Sequence, residues 1–331
     1  MGRLFAAAFL VKLCSWSCAC EGVRLKLRVL VLGGGHFVAA RVLQALSASD
    51  WAAPVAFSGP PASLSEADLA GIHSVFNGAM GRPDAIVSHA QALYGVLERG
   101  GGRLRAVHLS SMTVYGTHSG EVAETAALRS DLGAYGAAQI KAESLAARYA
   151  RSVILRPGCE YGPACPQWSE RIAHLLYSHR LGDLGAAGDG ICNLLFVDDL
   201  VEAILKSLHA PGIDGACFNL AMRSPPTWNE YFTRFARALG AVPVSRIGAR
   251  RLKIEARLAA PPLKLLEMMQ RRLGRAGAAP PAITPSFLNL CSQDITLLSG
   301  KAEETLGLAW TPLREGLQRA AAAFNSALLP S

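Results

Sequence analysis

The sequence has little charge and lacks the features of a fibrous, repetitive or disordered protein. Only 18% of its 331 residues are charged and 51% are hydrophobic, which is typical of a chain that buries a globular core. It contains no internal repeat and no recognisable nucleic-acid-binding module. A chain of this length forms one large domain or two smaller ones.

Long apolar runs are also missing. The start, MGRLFAAAFLVKLCSWSCACEG, has an apolar run that Lys12 interrupts, and this run is too short to span a bilayer. We interpret residues 1–24 as a disordered or non-native N-terminal extension, with a targeting segment as the alternative. We expect a cytoplasmic protein without stable membrane insertion.

The eight cysteines lack the spacing of a metal site. Cys14, Cys18 and Cys20 form a cluster, but no second cluster and no histidine pair accompanies it. The other five lie far apart in apolar surroundings, at positions 159, 165, 192, 217 and 291. This usage predicts no bound metal and reduced thiols in a cytosol.

The excess of positive charge is concentrated in one segment. The chain carries a formal net charge of +8, and residues 245–275 contain nine Arg or Lys against Glu255 and Glu267. Such a segment suits a solvated helical face, a site for an anionic substrate or a membrane surface, and all three remain open. Nucleic acid is not an expected partner.

Strands and helices alternate through the first half of the chain, which predicts an α/β fold with a doubly wound parallel sheet. Only a dozen residues separate Ser58 from Gly71, so we expect the sheet to lack one strand there or to have it much reduced. The predicted elements are strand 27–32, helix 37–47, strand 55–58, strand 71–77, helix 83–99, strand 105–111, helix 133–150, strand 151–157, helix 168–178 and helix 198–209.

The stretch RVLVLGGGHFVAA, residues 28–40, predicts a nucleotide-binding loop. A strand that ends in glycine and turns at once into a helix directs backbone amides towards a pyrophosphate. Against the spacing G-x-x-G-x-x-G the chain has Gly33, His36 and Ala39, and we expect Gly34 and Gly35 to adopt positive φ to accommodate His36. The candidate cofactor-binding residues are Gly33, Gly34, Gly35, His36, Phe37 and Val38; a purely structural turn is the alternative.

Four further motifs follow in order: HLSSMTVYG (108–116), YGAAQIKAE (135–143), LRPGCEYGP (155–163) and NLLFVDDL (193–200). Together with the glycine loop they resemble the extended short-chain dehydrogenase/reductase family, the NAD-dependent epimerase/dehydratase group, which mostly acts on nucleotide sugars. The resemblance covers roughly residues 28–220. It implies a Rossmann-like sheet with a smaller C-terminal substrate lobe.

The resemblance also implies roles for individual residues. Ser111 corresponds to the family's catalytic serine and Tyr135 to its catalytic tyrosine, which as a tyrosinate takes a hydroxyl proton while hydride passes to the nicotinamide. Asn77, Pro157 and Gly158 correspond to positions beside the cofactor. Trp168, Arg180 and Asn193 are looser candidates in the substrate lobe.

Gln139 departs from the family pattern Tyr-x-x-x-Lys. The lysine lowers the tyrosine pKa by its charge and holds the nicotinamide ribose, whereas glutamine keeps the hydrogen bonds and supplies no charge. Lys141 lies on another face of the helix and is expected to face solvent. Catalysis is then slower, uses another base or is absent.

Two functional hypotheses follow. The first is an NAD(P)-dependent oxidoreductase of the epimerase/dehydratase type that acts on a sugar nucleotide or a similar hydroxylated metabolite, with anionic small molecules among the candidate substrates. The second is a catalytically weak or inactive NAD(P)-binding sensor or scaffold. NAD and NADP are equally acceptable as cofactors. The second strand ends in Phe57, Ser58 and Gly59, and none of these is the acidic residue that would bind the ribose of NAD. We expect a Rossmann domain at 25–160 and a mixed α/β lobe at 161–331 that partly returns to the sheet. A homodimer is one expected oligomeric state.

Overall fold

The computed structural model describes residues 26–272 and 281–328. The predicted extension at residues 1–24, with its three cysteines, lies outside these ranges. The strands are β1 (Leu27–Leu32), β2 (Ala52–Phe57), β3 (Ser74–Asn77), β4 (Arg105–Leu109), β5 (Gly120–Val122), β6 (Ser152–Pro157), β7 (Cys159–Tyr161), β8 (Leu194–Phe196), β9 (Cys217–Leu220) and β10 (Ile295–Leu297).

Helices connect most of these strands. The α-helices are α1 (Phe37–Ala48), α2 (Pro83–Arg99), α3 (Ala134–Arg148), α4 (Arg171–Tyr177), α5 (Val197–His209), α6 (Trp228–Leu239), α7 (Ala249–Ile254), α8 (Ala260–Arg272), α9 (Pro285–Cys291), α10 (Gly300–Leu306) and α11 (Leu313–Leu328). A π-helical turn at Glu255–Ala259 joins α7 to α8, so residues 249–272 form one continuous helical segment.

Six strands form a parallel sheet in the order β2-β1-β3-β4-β6-β9. Alternate residues of β1 serve its two faces: Val29 and Val31 pack with α1 and α5, while Leu30 and Leu32 pack with α2 and α3. Since both faces are covered, the strands are apolar nearly throughout. The predicted Rossmann-like, doubly wound sheet is confirmed.

The expected loss of one strand is also confirmed. Between β2 and β3 the chain forms only two short 3₁₀ turns, Pro61–Ser63 and Glu66–Leu69. This leaves β2 at the edge of the sheet. Because β2 pairs on one side only, it accommodates Pro54, which has no N–H to donate.

The C-terminal half contributes to the sheet and also builds a second core. Strand β9 joins the sheet next to β6, and α5 packs against it from one face. The second core surrounds α6, whose Trp228, Tyr231 and Phe235 are buried. The division at residue 160 stays a prediction, because the later segment belongs to both cores.

Several predicted boundaries were wrong by a few residues. Strand β2 begins at Ala52 rather than at residue 55, and β3 begins at Ser74 rather than at residue 71. The helix predicted at 168–178 begins with a π-helical turn at Pro166–Glu170 and continues as α4. Edge pairing and π turns depend on neighbouring elements, and the local residue pattern carries little signal for either.

Three cysteines that are far apart in sequence come together in the fold. Cys159, Cys192 and Cys291 are buried as free thiols, and the Cys159 and Cys192 thiols are within hydrogen-bonding reach. Burial raises the pKa of the Cys192 thiol well above its usual value, so this site disfavours the thiolate. Within residues 26–272 and 281–328, no helix is long and apolar enough to cross a membrane.

Candidate active site

The predicted catalytic residues meet where β4 ends and α3 begins. Ser111 follows β4, and its hydroxyl accepts a hydrogen bond from Thr113 N at 3.3 Å, which caps a 3₁₀ turn. Helix α3 approaches that turn closely, because a Cβ built on Gly136 would lie 3.0 Å from the Thr113 carbonyl oxygen. This close approach places Ser111 near the Tyr135 hydroxyl, and the Ser111 side chain lowers the Tyr135 pKa.

Gln139 lies one turn further along α3 and is fully buried. Its Nε2 donates to the Tyr135 hydroxyl at 3.1 Å and lies 3.4 Å from the Met80 sulfur. Its Oε1 is buried and has no hydrogen-bond partner among the described residues. An unpaired buried amide oxygen is costly, so this atom is a candidate acceptor for a hydroxyl that is not part of the protein.

Met80 belongs to the same cluster. Its sulfur lies 3.9 Å from the Tyr135 hydroxyl as well as near Gln139. The side chain is half-buried and reaches α3 from the loop that follows β3. Met80 therefore lies against both members of the hydrogen-bonded pair to which the family resemblance assigns catalysis and ribose binding.

The electrostatics of the cluster disfavour a tyrosinate. Desolvation raises the pKa of Tyr135 to about 12, and the hydrogen bonds from Gln139 and Ser111 offset only part of this effect. The nearby carboxyl group of Glu160, on β7, raises the pKa further when it is charged. Among the described residues no cation compensates, because position 139 carries an amide and Lys141 is exposed to solvent as predicted.

Glu160 is the acidic group of this site. The surrounding protein desolvates it and raises its pKa to about 7. It follows Pro157 and Gly158 by two to three residues and lies at the same end of the sheet as Tyr135. Its charge therefore changes near neutral pH, and that change is felt at Tyr135.

The glycine loop is built differently from our expectation. Gly33, with φ of +80°, has positive φ, whereas Gly34 and Gly35 do not, so that prediction was wrong. A Cβ on Gly33 would lie 2.6 Å from the Gly78 carbonyl oxygen. Gly33 is therefore required by its contact with the loop after β3.

Gly35 and His36 form the open part of the loop. A Cβ on Gly35 would meet nothing within 4 Å, and His36 is exposed with its ring turned towards Gly81. No described side chain caps the N-terminus of α1, so its backbone amides retain their capacity for an anion. Desolvation and the nearby His89 lower the pKa of His36.

Phe37 and Val38 are half-buried at the start of α1. The Arg41 guanidinium lies over the Phe37 ring, 5.4 Å from the ring centre. Val38 packs against the hydrophobic core that α1 and α5 form with the sheet. Ala39 is fully buried and its Cβ lies 3.1 Å from the position of a Cβ on Gly78. The small residue at 39 thus allows the close helix–strand packing that the motif requires.

Other predicted site residues turn into the protein. The buried Asn77 pairs with His108 at 3.1 Å and accepts from Ala79 N at 3.3 Å. Pro157 is buried at the end of β6, and a Cβ on Gly158 would lie 2.1 Å from the Asn193 carbonyl oxygen. The contacts of Asn77 and Gly158 account for their residue types.

The looser substrate-lobe candidates also have partners within the protein. Asn193 holds β10 through bonds to Ile295 O at 2.7 Å and Leu297 N at 2.9 Å. Arg180 is paired with Glu255 at 2.7 Å. Trp168 packs against Trp228, with ring centres 5.2 Å apart.

The sequence reasoning missed Met80 and Glu160. Both had a weak signal in the sequence. Met80 is a long side chain among the small residues of NGAMG, and Glu160 is a carboxylate in CEYGP, within an otherwise apolar strand. Neither position is near Tyr135 in the chain. Only the meeting of the loop after β3, β7 and α3 shows their relation to it.

A separate cavity of about 570 Å³ lies in the C-terminal half. It shares no residue with the Tyr135 cluster. Arg234, Arg237 and Arg246 line it, with Asp183, Asp189 and Glu230 supplying opposite charge. One residue of the basic segment, Arg246, therefore faces a cavity that is balanced in charge.

Comparison with known proteins supports the motif-based prediction. Residues 68–221 match the model of the NAD dependent epimerase/dehydratase family. This match confirms the resemblance that the motifs predicted. The expected class of cofactor agrees with the family's description. Comparison with curated proteins gave no match.

Solved structures show the same fold over most of the chain. MoeE5 in complex with UDP-glucose and NAD is 21% identical, with a TM-score of 0.68, over 91% of this chain and 100% of that one. The UDP-glucuronic acid 4-epimerase of Bacillus cereus is 17% identical, with a TM-score of 0.65, over 91% and 100%. The NDP-hexosamine 5,6-dehydratase TunA is 16% identical, with a TM-score of 0.67, over 91% and 98%.

Proposed function

We propose that this protein is an NAD(P)-dependent oxidoreductase of the epimerase/dehydratase type that acts on a nucleotide sugar or a similar hydroxylated metabolite. The observation that carries the proposal is the cluster of Ser111, Tyr135 and Gln139 at the end of β4. Three hydrogen-bonding side chains converge there at the carboxyl edge of a parallel sheet, where folds of this kind bind ligands. The nucleotide sugars named with the similar structures suggest which substrates to test.

The residues fit the cofactor that the family implies. The amides of Gly35, Phe37 and Val38 would hold the pyrophosphate, whereas that of His36 already donates to the Gly33 carbonyl oxygen. The unpaired Gln139 Oε1 would accept a ribose hydroxyl once Met80 moves aside. The nicotinamide would supply hydride transfer. Tyr135, neutral at physiological pH, would donate a hydrogen bond to the reacting oxygen, while Ser111 orients that oxygen.

A second candidate function is an NAD(P)-binding sensor or scaffold with little or no turnover. The position of Met80 favours it, because its sulfur contacts both the Tyr135 hydroxyl and Gln139 Nε2 and so covers the hydrogen-bonded pair. The missing cation at position 139 favours it too. Both candidates require cofactor binding, and they differ in turnover.

The experiment is a calorimetric titration of the purified protein with NAD⁺, NADH, NADP⁺ and NADPH, followed by turnover assays with UDP- and dTDP-linked sugars. Met80→Ala is expected to strengthen cofactor binding, and the matched variant Met80→Leu is expected to leave it nearly unchanged. Binding with turnover that Tyr135→Phe abolishes supports the first candidate. Binding without turnover supports the second, and absence of binding to all four dinucleotides refutes both.

A further inference from the structure

The helical segment 249–272 presents an unusual face to solvent. Ile254, Leu258, Leu265 and Met269 are 57%, 71%, 58% and 54% exposed. They are spaced four, seven and four residues apart, and these spacings return to one side of a helix. They form a continuous apolar stripe, which we call the outer stripe.

The opposite side of the segment attaches it to the protein. Leu252, Ala256 and Ala260 are buried. Glu255 is paired with Arg180 at 2.7 Å, and Arg180 also donates to the Pro281 carbonyl oxygen at 2.8 Å. The segment is thus held in one orientation, and the outer stripe faces away from the core.

Basic residues accompany the outer stripe. Arg250, Lys253, Arg257 and Lys264 are exposed, and among the described residues no carboxylate forms an ion pair with them. Glu255 is already bound to Arg180. The surface therefore combines exposed aliphatic side chains with uncompensated positive charge.

We propose that this face docks on an anionic lipid bilayer, with the outer stripe in the headgroup region and the four cations beside it. An amphipathic helix with apolar residues on one face and Lys or Arg on the other binds membrane interfaces through both parts. The interaction is peripheral and agrees with the lack of a membrane-spanning helix among the described residues.

Other occupants fit the charge less well. A second copy of the chain would bring like charges together, and residues 1–25 are themselves basic, with Arg3, Lys12 and Arg24 against Glu21. Nucleic acid would match the charge. However, single strands are bound through aromatic stacking, and an aliphatic stripe does not provide it.

The test is co-sedimentation of the full chain with vesicles of phosphatidylcholine alone and of phosphatidylcholine mixed with phosphatidylserine. We expect binding to the mixed vesicles that weakens with salt. Replacing Lys253, Arg257 and Lys264 by Gln should weaken binding about fivefold for each cation removed. Leu258→Asp combined with Leu265→Asp should abolish it.

Matched controls change the same residue types elsewhere on the surface. Lys141→Gln with Arg148→Gln and Arg314→Gln removes three exposed cations, and Leu328→Asp changes a leucine that is 53% exposed. Both controls should bind as wild type does. Thermal unfolding of every variant verifies that it is folded.

Four results would overturn the proposal. These are no binding to the mixed vesicles, equal binding by the outer-stripe variants, a dimer that Leu258→Asp dissociates without any vesicle binding, and binding to a DNA duplex but not to vesicles. Equal binding by the variants would assign the interaction to another segment, such as residues 1–25.

Discussion

At the scale of single residues, Gln139 separates this chain most clearly from the family pattern. Its amide keeps the hydrogen bond to Tyr135 but leaves the phenol in a desolvated site with a pKa of about 12. At pH 7 about one phenol in 100,000 would then be ionised. The protein therefore contains the tyrosine of the family mechanism without the charge that makes it a base.

Gln139→Lys is expected to lower the pKa of Tyr135 by about 1 to 3 units, because an adjacent cation favours the phenolate. The measurement is an ultraviolet titration of the phenolate, with Tyr135→Phe in the same background to assign the signal. The uncharged variant Gln139→Met should produce no such decrease. If Gln139→Lys titrates as wild type does, the two side chains are not coupled in the way that their 3.1 Å contact indicates.

Glu160 adds a second effect at the same scale. Its pKa of about 7 means that the carboxyl gains charge as the pH rises through neutrality, and this charge opposes ionisation of Tyr135. Tyr135 is therefore held neutral by three causes: desolvation, the absent lysine and a neighbouring acid. Sequence motifs identified only the second of these.

At the scale of elements, the site depends on how the glycine loop and α3 are held. The loop is held by contact between Gly33 and the backbone of residues 78–79. Helix α3 is held by Glu143, which is paired with Arg156 of β6 at 2.7 Å. Arg156 also donates to the Tyr115 hydroxyl at 2.8 Å.

Gly33→Ala and Gly35→Ala are a matched pair of variants that distinguishes the contribution of the glycine loop to stability from its contribution to cofactor binding. Gly33→Ala should destabilise the protein by about 1–3 kcal/mol, since a Cβ at positive φ would also meet the Gly78 carbonyl. Gly35→Ala should change stability little and weaken cofactor binding, because its Cβ points into open space. Denaturant unfolding and dinucleotide titration measure the two effects, and unchanged cofactor affinity in Gly35→Ala would remove the loop from the site.

Glu143→Ala should destabilise the fold by about 3–5 kcal/mol, because it leaves Arg156 charged and unpaired in a buried position. Lys141→Gln, two residues away on the exposed side of α3, should stay within about 0.5 kcal/mol of wild type. Denaturant unfolding again supplies the measurement. A small effect of Glu143→Ala would mean that α3 is held in place mainly by its apolar contacts.

At the scale of the whole molecule, the stability should depend on pH through His108. Burial lowers its pKa to about 4 from the usual 6.5. The unfolded chain therefore binds more protons between these values, and stability is lost as the pH falls from about 6.5 to about 4. Glu160 acts in the opposite direction, because its raised pKa of about 7 costs stability as the pH rises from about 4.5 to about 7.

His108→Gln should make the change in stability between pH 7 and pH 4.5 more favourable at the acid end than in wild type by about 2–3 kcal/mol, because it removes the contribution of His108 and leaves the opposing one of Glu160. The measurement compares the free energy of unfolding at pH 7 and pH 4.5 for wild type and variant. Equal losses in the two proteins would show that His108 is not the group responsible.

The elements differed in how much of their structure could be predicted. Strand β1 and helix α2 have the predicted bounds, because their apolar periodicity and end signals are local. The start of the edge strand β2 and the start of the helix predicted at 168–178 were misplaced. The extent of both elements depends on pairing and packing with other elements. The missing strand was predictable, since chain length alone excludes a full strand–helix unit between residues 58 and 71.

The sequence by itself determined the class of fold, the order of its motifs and the absence of a lysine at position 139, because these follow from local periodicity and residue identity. Only the tertiary structure decided which residues surround Tyr135. Met80 and Glu160 are distant in the chain and reach the site through sheet order and loop packing. The tertiary structure also decided that Asn77, Arg180 and Asn193 bind partners within the protein, because buried polar groups need hydrogen-bond partners and these partners lie on other elements.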